Sequence, residues 1–165
     1  MKKKYLLLLV SILTLAGCDD DLPPDPGPPG TETLEGIDSD GDGVRDDVQR
    51  YIHQNYLGKD DRDALKSLAI SYQKAIILHE NEEESLNQWS YTSRSIHCLF
   101  EVDVETAHIK IRELRSEVLN TRARVEAYFR SQKHLSGRTF SVADIEDSKA
   151  ICNGELPASK VRELP

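Results

Sequence analysis

Five aspartates fall within ten residues in the run Asp38-Ser39-Asp40-Gly41-Asp42-Gly43-Val44-Arg45-Asp46-Asp47-Val48-Gln49. Carboxylates crowded in this way repel one another unless a cation lies between them. A hard cation such as calcium takes six to eight oxygens, and one short loop can supply most of them. With Asp38 at loop position 1, Asp40 and Asp42 occupy positions 3 and 5, and Gly43 at position 6 permits a sharp turn. The Val44 carbonyl would serve at position 7, Asp46 at position 9, directly or through water, and Gln49 at position 12. A solvated acidic turn leading into a helix would show the same composition without any metal, because Asp is favoured at the positive end of the helix dipole.

The run resembles EF-hand-like loops, above all those of thrombospondin type 3 repeats and dockerin modules, which open with the loop and need no helix before it. The likeness spans about a dozen residues. It implies calcium as a cofactor, with Asp38, Asp40, Asp42, Val44, Asp46 and Gln49 as ligands. The departure is at position 12, where neutral Gln49 stands in place of a bidentate Glu or an Asp. That substitution weakens the site unless Asp47 or a more distant acid compensates. Extracellular calcium modules work at about 10⁻⁴–10⁻³ M, so a weakened site would still fill outside the cytoplasm.

At the N-terminus, Lys2, Lys3 and Lys4 precede an almost wholly apolar run from Tyr5 to Leu15, followed by Ala16-Gly17-Cys18. A basic stretch, a short apolar stretch and small residues are the marks of a secretory signal. The apolar run is shorter than the roughly 20 residues of a transmembrane helix. Its end resembles the bacterial lipobox, although an ordinary signal with a chance cysteine is the alternative. The resemblance implies cleavage before Cys18, acylation of Cys18 and a lipid anchor in the cell envelope. Enteric lipoproteins similar to this one, with Asp after the cysteine as at Asp19, are kept on the inner membrane facing the periplasm. Removing residues 1–17 takes away three of the 21 basic residues and none of the 29 acidic ones, moving the net charge from −8 to −11. Such a chain is a poor partner for nucleic acid or for anionic headgroups.

The expected organisation is a signal peptide at 1–17, a lipidated and disordered Pro-rich linker at 18–36, and a calcium loop at 37–49. A helical domain over 46–154 and a tail at 155–165 follow. The segment Leu22–Gly30 holds five prolines and two glycines in nine residues, a composition that favours an extended spacer over a core. Beyond the loop the apolar spacing is helical. Val48, Ile52 and Tyr56 share one face with Tyr51, ending near Gly58 as a C-cap. Asp60 could cap a second helix carrying Leu65, Leu68, Tyr72, Ala75 and His79. Asn81 with Glu84 resembles a capping box and opens a third, with Leu86, Trp89, Ser93, Ile96 and Phe100 as its stripe. A long fourth helix opening at Asp103 would carry Val104, Ala107, Ile111, Leu114, Val118, Thr121, Val125 and Tyr128, its far end offering a partner surface if it outruns the bundle. Gly137 ends that run, and Ser141 with Asp144 would start a short last helix. The 3-4-3-4 spacing predicts an all-α fold, a small antiparallel bundle of about four helices plus that short one.

Cys98 and Cys152 form an even pair in a chain read as exported, so a disulfide is expected, closing a loop of 54 residues and contributing about 4 kcal/mol in the chain-entropy picture. Reactive thiols are the alternative. Catalytic patterns are sparse. Ser71-Tyr72-Gln73-Lys74 matches SxxK without its companion motifs, and His53, His97, His108 and His134 are scattered along helical faces. Two function classes follow. One is a non-enzymatic, calcium-steadied lipoprotein that binds an envelope protein partner. The other is a small envelope enzyme whose site is assembled from dispersed acids and histidines. The first needs no residue that the sequence lacks.

Overall fold

The computed structural model describes residues 22–140. They form five helices: α1 (Asp46–Asn55), α2 (Lys59–Ile77), α3 (Glu82–Val102), α4 (Ala107–Val118) and α5 (Arg122–Lys133). A single 3-10 turn over Pro28–Thr31 precedes them, and no strand occurs among the described residues. The fold is therefore an all-α bundle. Helix α2 is its hub, packing against each of the other four. Leu65, Leu68, Tyr72 and Ile76 of α2 meet Val44, Val48 and Ile52 from the loop and α1, with Leu99, Leu114, Val118 and Ala127 from α3 to α5. Among the described residues no helix is long and apolar enough to cross a membrane.

Local chemistry sets most of the boundaries. Asn81 accepts a hydrogen bond from the Glu84 amide through its side chain and starts α3, one half of the expected capping box. Gly58 does not cap α1. That helix ends at Asn55 with extended Tyr56, and Gly58 instead precedes α2, placing Asp60 and Asp61 in the first turn of α2. The α3 stripe also differs from expectation. Its buried positions include Ser85, Gln88, Ser95 and Leu99, while Phe100 is exposed. Small hydroxyl side chains line the packing of α3 on α2, its most extensive neighbour, and Thr92 bonds Ser71 while Ser131 of α5 bonds Ser85. Trp89 is half-buried and stacks on Phe140 at 4.2 Å between ring centroids.

The long fourth helix does not form, and so no end of it outruns the bundle. The chain breaks after Val118, and α5 starts afresh where the Thr121 hydroxyl accepts from the Arg124 amide. Helical spacing continues across the break, which is why the sequence pattern conceals it. The carbonyls freed at the end of α4 are claimed by Arg45, whose guanidinium donates to Glu117 O at 3.1 Å and Val118 O at 2.9 Å.

The Pro-rich segment is also corrected. From Leu22 onward it is a strap lying on the bundle, not a disordered linker. Pro23 and Gly30 are buried, Arg50 donates to Pro23 O, and the Gln73 amide donates to Leu34 O and Glu35 O. Arg124, fully buried, holds Gly30 O at 2.7 Å, Thr33 O at 2.8 Å and Leu34 O at 3.2 Å. Prolines cannot donate from their backbone nitrogen, but their carbonyls and those beside them accept freely, and the bundle supplies the donors. Gly36 closes the strap at φ +67°, where an added Cβ would lie 2.5 Å from Arg45 Cδ and 2.8 Å from Arg124 Nη2.

Candidate metal centre

Downstream of the strap, the chain folds the acidic run into a tight loop before α1. Gly43 adopts φ +87°, a conformation that side-chain-bearing residues avoid. Asp38 takes both loop glycine amides, Gly41 N at 2.8 Å and Gly43 N at 2.9 Å. The other acids each give one oxygen to the backbone. Asp40 Oδ1 accepts from Asp42 N, Asp42 Oδ1 from Val44 N, and Asp46 Oδ1 from Ser39 N. The loop is closed by Asp46 N donating to Ile37 O at 2.8 Å. Val44 anchors it by burying its side chain in the core.

This arrangement leaves Oδ2 of Asp40, Asp42 and Asp46 with no backbone partner in the loop. Asp40 Oδ2 receives the Gln49 Nε2 amide at 3.0 Å, and Asp42 Oδ2 the Lys66 ammonium at 3.3 Å. Asp46 is 0 % exposed and Gln49 5 %. Asp46 Oδ2 and Gln49 Oε1 are both buried without any hydrogen-bond partner. A buried acceptor left unmade costs about 1–3 kcal/mol, more when charged, so these two oxygens stand out.

Ligand oxygens of Asp38, Asp40 and Asp42 lie within 4.8 Å of one another, so this cluster could hold a metal ion. The Gln49 hydrogen bond holds the Asp40 carboxyl below its ordinary range, whereas desolvation raises Asp38. Asp47 is not available to help the site. Arg45 grips both its oxygens at 2.9 Å, and Asn120 adds a third bond. Burial alone would raise Asp47, but the hydrogen bonds and charge of Arg45 outweigh it and leave the carboxyl lowered. Sequence reading missed both Lys66 and Arg45. Lys66 sits 24 residues from Asp42, beyond any local pattern.

Of the cysteines, Cys98 is fully buried and disulfide-bonded. Cys18, expected to carry lipid, and Cys152, expected to pair with Cys98, lie outside the described residues, as does the short last helix. The histidines stay dispersed: His97 pairs with Glu101, His79 with Glu80, and His134 meets the His79 carbonyl. No family model, curated protein or solved structure matches this chain.

Proposed function

We propose that this chain is a lipid-anchored protein of the bacterial envelope, non-enzymatic, whose helical domain is steadied by one calcium ion and binds an envelope protein partner. The observation that carries the calcium reading is the pair of orphaned buried oxygens, Asp46 Oδ2 and Gln49 Oε1. They belong to loop positions 9 and 12, in the same loop as the clustered carboxylates of Asp38, Asp40 and Asp42, a cluster that Asp46 does not itself join. Asp46 would complete the ligand set together with the Val44 carbonyl. Gln49 would turn its amide so that Oε1 faces the ion. The donors are all oxygen, the chemistry that suits calcium rather than zinc or copper.

Anchoring rests on the basic and apolar run that ends at Cys18. With the strap docked from Leu22, the three residues 19–21, spanning four Cα–Cα steps, separate the lipid cysteine from the folded domain. Extended chain covers at most ~3.6 Å per residue, so the domain rides within about 14 Å of its anchor. That proximity favours a partner in or beside the inner membrane, and the exposed Leu57, Val104 and Phe129 supply apolar contacts for one.

Calorimetric titration of the full-length chain in detergent tests the metal. A single calcium site in the range of about 10⁻⁴–10⁻³ M is expected, with Asp38→Ala losing it. No calcium heat at millimolar concentrations, or no loss in Asp38→Ala, would leave only an acidic turn. Cys18→Ser should abolish fatty-acid labelling and leave unprocessed precursor; normal processing and membrane retention would refute the anchor. Cross-linking in membranes, with and without calcium, identifies the partner.

A further inference from the structure

We infer that Lys66 is a built-in competitor for the cation, holding the Asp42 oxygen that the ion needs and so setting the affinity of the loop from the neighbouring helix. The inference rests on the calcium reading above. Asp42 spends Oδ1 on the Val44 amide at 2.8 Å, leaving Oδ2 as its free ligand atom. That same Oδ2 is the atom the Lys66 ammonium approaches to 3.3 Å. The two side chains are 28 % and 31 % exposed, so the pair sits at the rim of the loop where a cation would enter. Lys66 belongs to α2, the hub of the bundle.

Without metal, the ammonium and the Gln49 amide together stand where two metal–oxygen bonds would be. They relieve the repulsion among the carboxylates and keep the loop closed. An arriving calcium must displace both. Gln49 can answer by turning its amide and offering Oε1. Lys66 has no acceptor atom to offer, so it must swing away on its flexible stem. A like charge a few ångströms from a divalent ion, in a water-like dielectric, weakens binding roughly three- to tenfold. Lys66 therefore makes the loop a weak site, suited to compartments rich in calcium, and makes its own release a consequence of filling.

The test compares full-length parent, Lys66→Met and Lys66→Arg by calorimetry. Lys66→Met keeps the apolar stem and removes the charge, and should tighten calcium roughly three- to tenfold, while Lys66→Arg stays within about twofold of the parent. In the parent, calcium should speed acetylation of Lys66 relative to Lys74 several-fold, read by mass spectrometry of the peptides. If the parent binds calcium and Lys66→Met binds it no more tightly, or Lys66 reactivity ignores calcium, the inference falls alone. If neither protein binds calcium at millimolar concentrations, the inference falls together with the calcium reading.

Discussion

Two centres of concentrated charge stand next to each other in this chain, and they solve the same problem in opposite ways. In the loop, acids crowd at the surface and satisfy one another poorly, leaving Asp46 Oδ2 and Gln49 Oε1 buried and unpartnered. Beside it, the guanidiniums of Arg45 and Arg124 are almost wholly buried. Each is wrapped in acceptors: Glu117 O, Val118 O, Gln73 and Asp47 for Arg45, and Gly30 O, Thr33 O, Leu34 O and Asn120 for Arg124. Burial together with the nearby Arg45 charge lowers Arg124, yet a guanidinium keeps its proton regardless. One centre is complete and structural. The other is short of positive charge, and in the proposed reading a cation from outside completes it.

The largest effect expected from this contrast is at Arg124. Arg124→Met removes the donors to three strap carbonyls and Asn120 while roughly keeping volume. Several buried acceptors lose partners at about 1–3 kcal/mol each, and release of the strap limits the total to ~3–5 kcal/mol. Thermal unfolding should drop by on the order of 10 °C, and residues 23–36 should lose hydrogen-exchange protection. A variant with parental stability and a protected strap would show that the arginine centre is ornamental.

A smaller effect, with a sign that depends on metal, is expected at Asp46. Asp46→Asn removes a buried charge whose second oxygen has no partner. Without calcium the variant should be more stable than the parent by about 1 kcal/mol. With calcium in excess the order should reverse, because the parent gains RT ln(1+[Ca]/Kd), about 2.7 kcal/mol at a hundredfold excess, and the variant gains less. Urea unfolding with chelator and with 10 mM calcium (a concentration of about tenfold or more over the expected Kd) reads both signs. The same order in both conditions would break the distinction between a complete centre and an incomplete one.

The contrast also explains what could be read in advance. The acidic loop is legible as a tight turn before α1 because its chemistry is local, its carboxylates accepting from amides only a few residues away. The helices were legible for the same reason, and the apolar spacing of Leu65, Leu68 and Tyr72 matches their burial. The arginine centre was not, since Arg45 finds Val118 O 73 residues away and Arg124 finds Gly30 O 94 residues away. Prolines in the strap read as a spacer because composition reports what a segment lacks, not which donors a folded surface will bring to it. The break between α4 and α5 hid inside an uninterrupted 3-4 spacing. In α3, hydroxyl residues took the buried side because close approach to α2 outweighed apolarity.

Smaller again is the effect of placing an acidic ligand at the loop position that lacks one. Gln49→Glu puts a carboxylate at loop position 12, beside Asp40. In place of the amide donor to Asp40 Oδ2, a like charge now faces it, so the loop without metal should loosen. With calcium, a bidentate ligand replaces a monodentate one and binding should tighten about tenfold, or ~1.4 kcal/mol. Calorimetry beside the parent decides it. Equal affinities would mean that residue 49 does not reach the ion.

A third ionic group, between the two extremes, gives the smallest and most pH-specific effect. Lys110, mostly buried, bridges Asp61 at 2.5 Å and Asp103 at 3.0 Å, joining the start of α2 to the turn before α4. Here both signs are present, so the centre is complete like the arginine one, yet Asp103 can titrate. The Thr106 hydroxyl, then Lys110, holds the Asp103 carboxyl well below the usual carboxylate range. A folded pKa lower than the unfolded one means stability that is fully present above the unfolded value of about 4 and is lost as pH falls toward the folded value. Parent and Asp103→Asn should therefore differ most near pH 7, and the gap should narrow steadily below pH 4. Because Asp103 lies at the surface, the effect is a modest shift in unfolding midpoint that salt weakens. Urea unfolding at pH 7, 4, 3 and 2 follows it. A gap that stays constant across that range would mean that Asp103 acts only as a neutral hydrogen-bond acceptor for the turn, and that Lys110 is held by Asp61 alone.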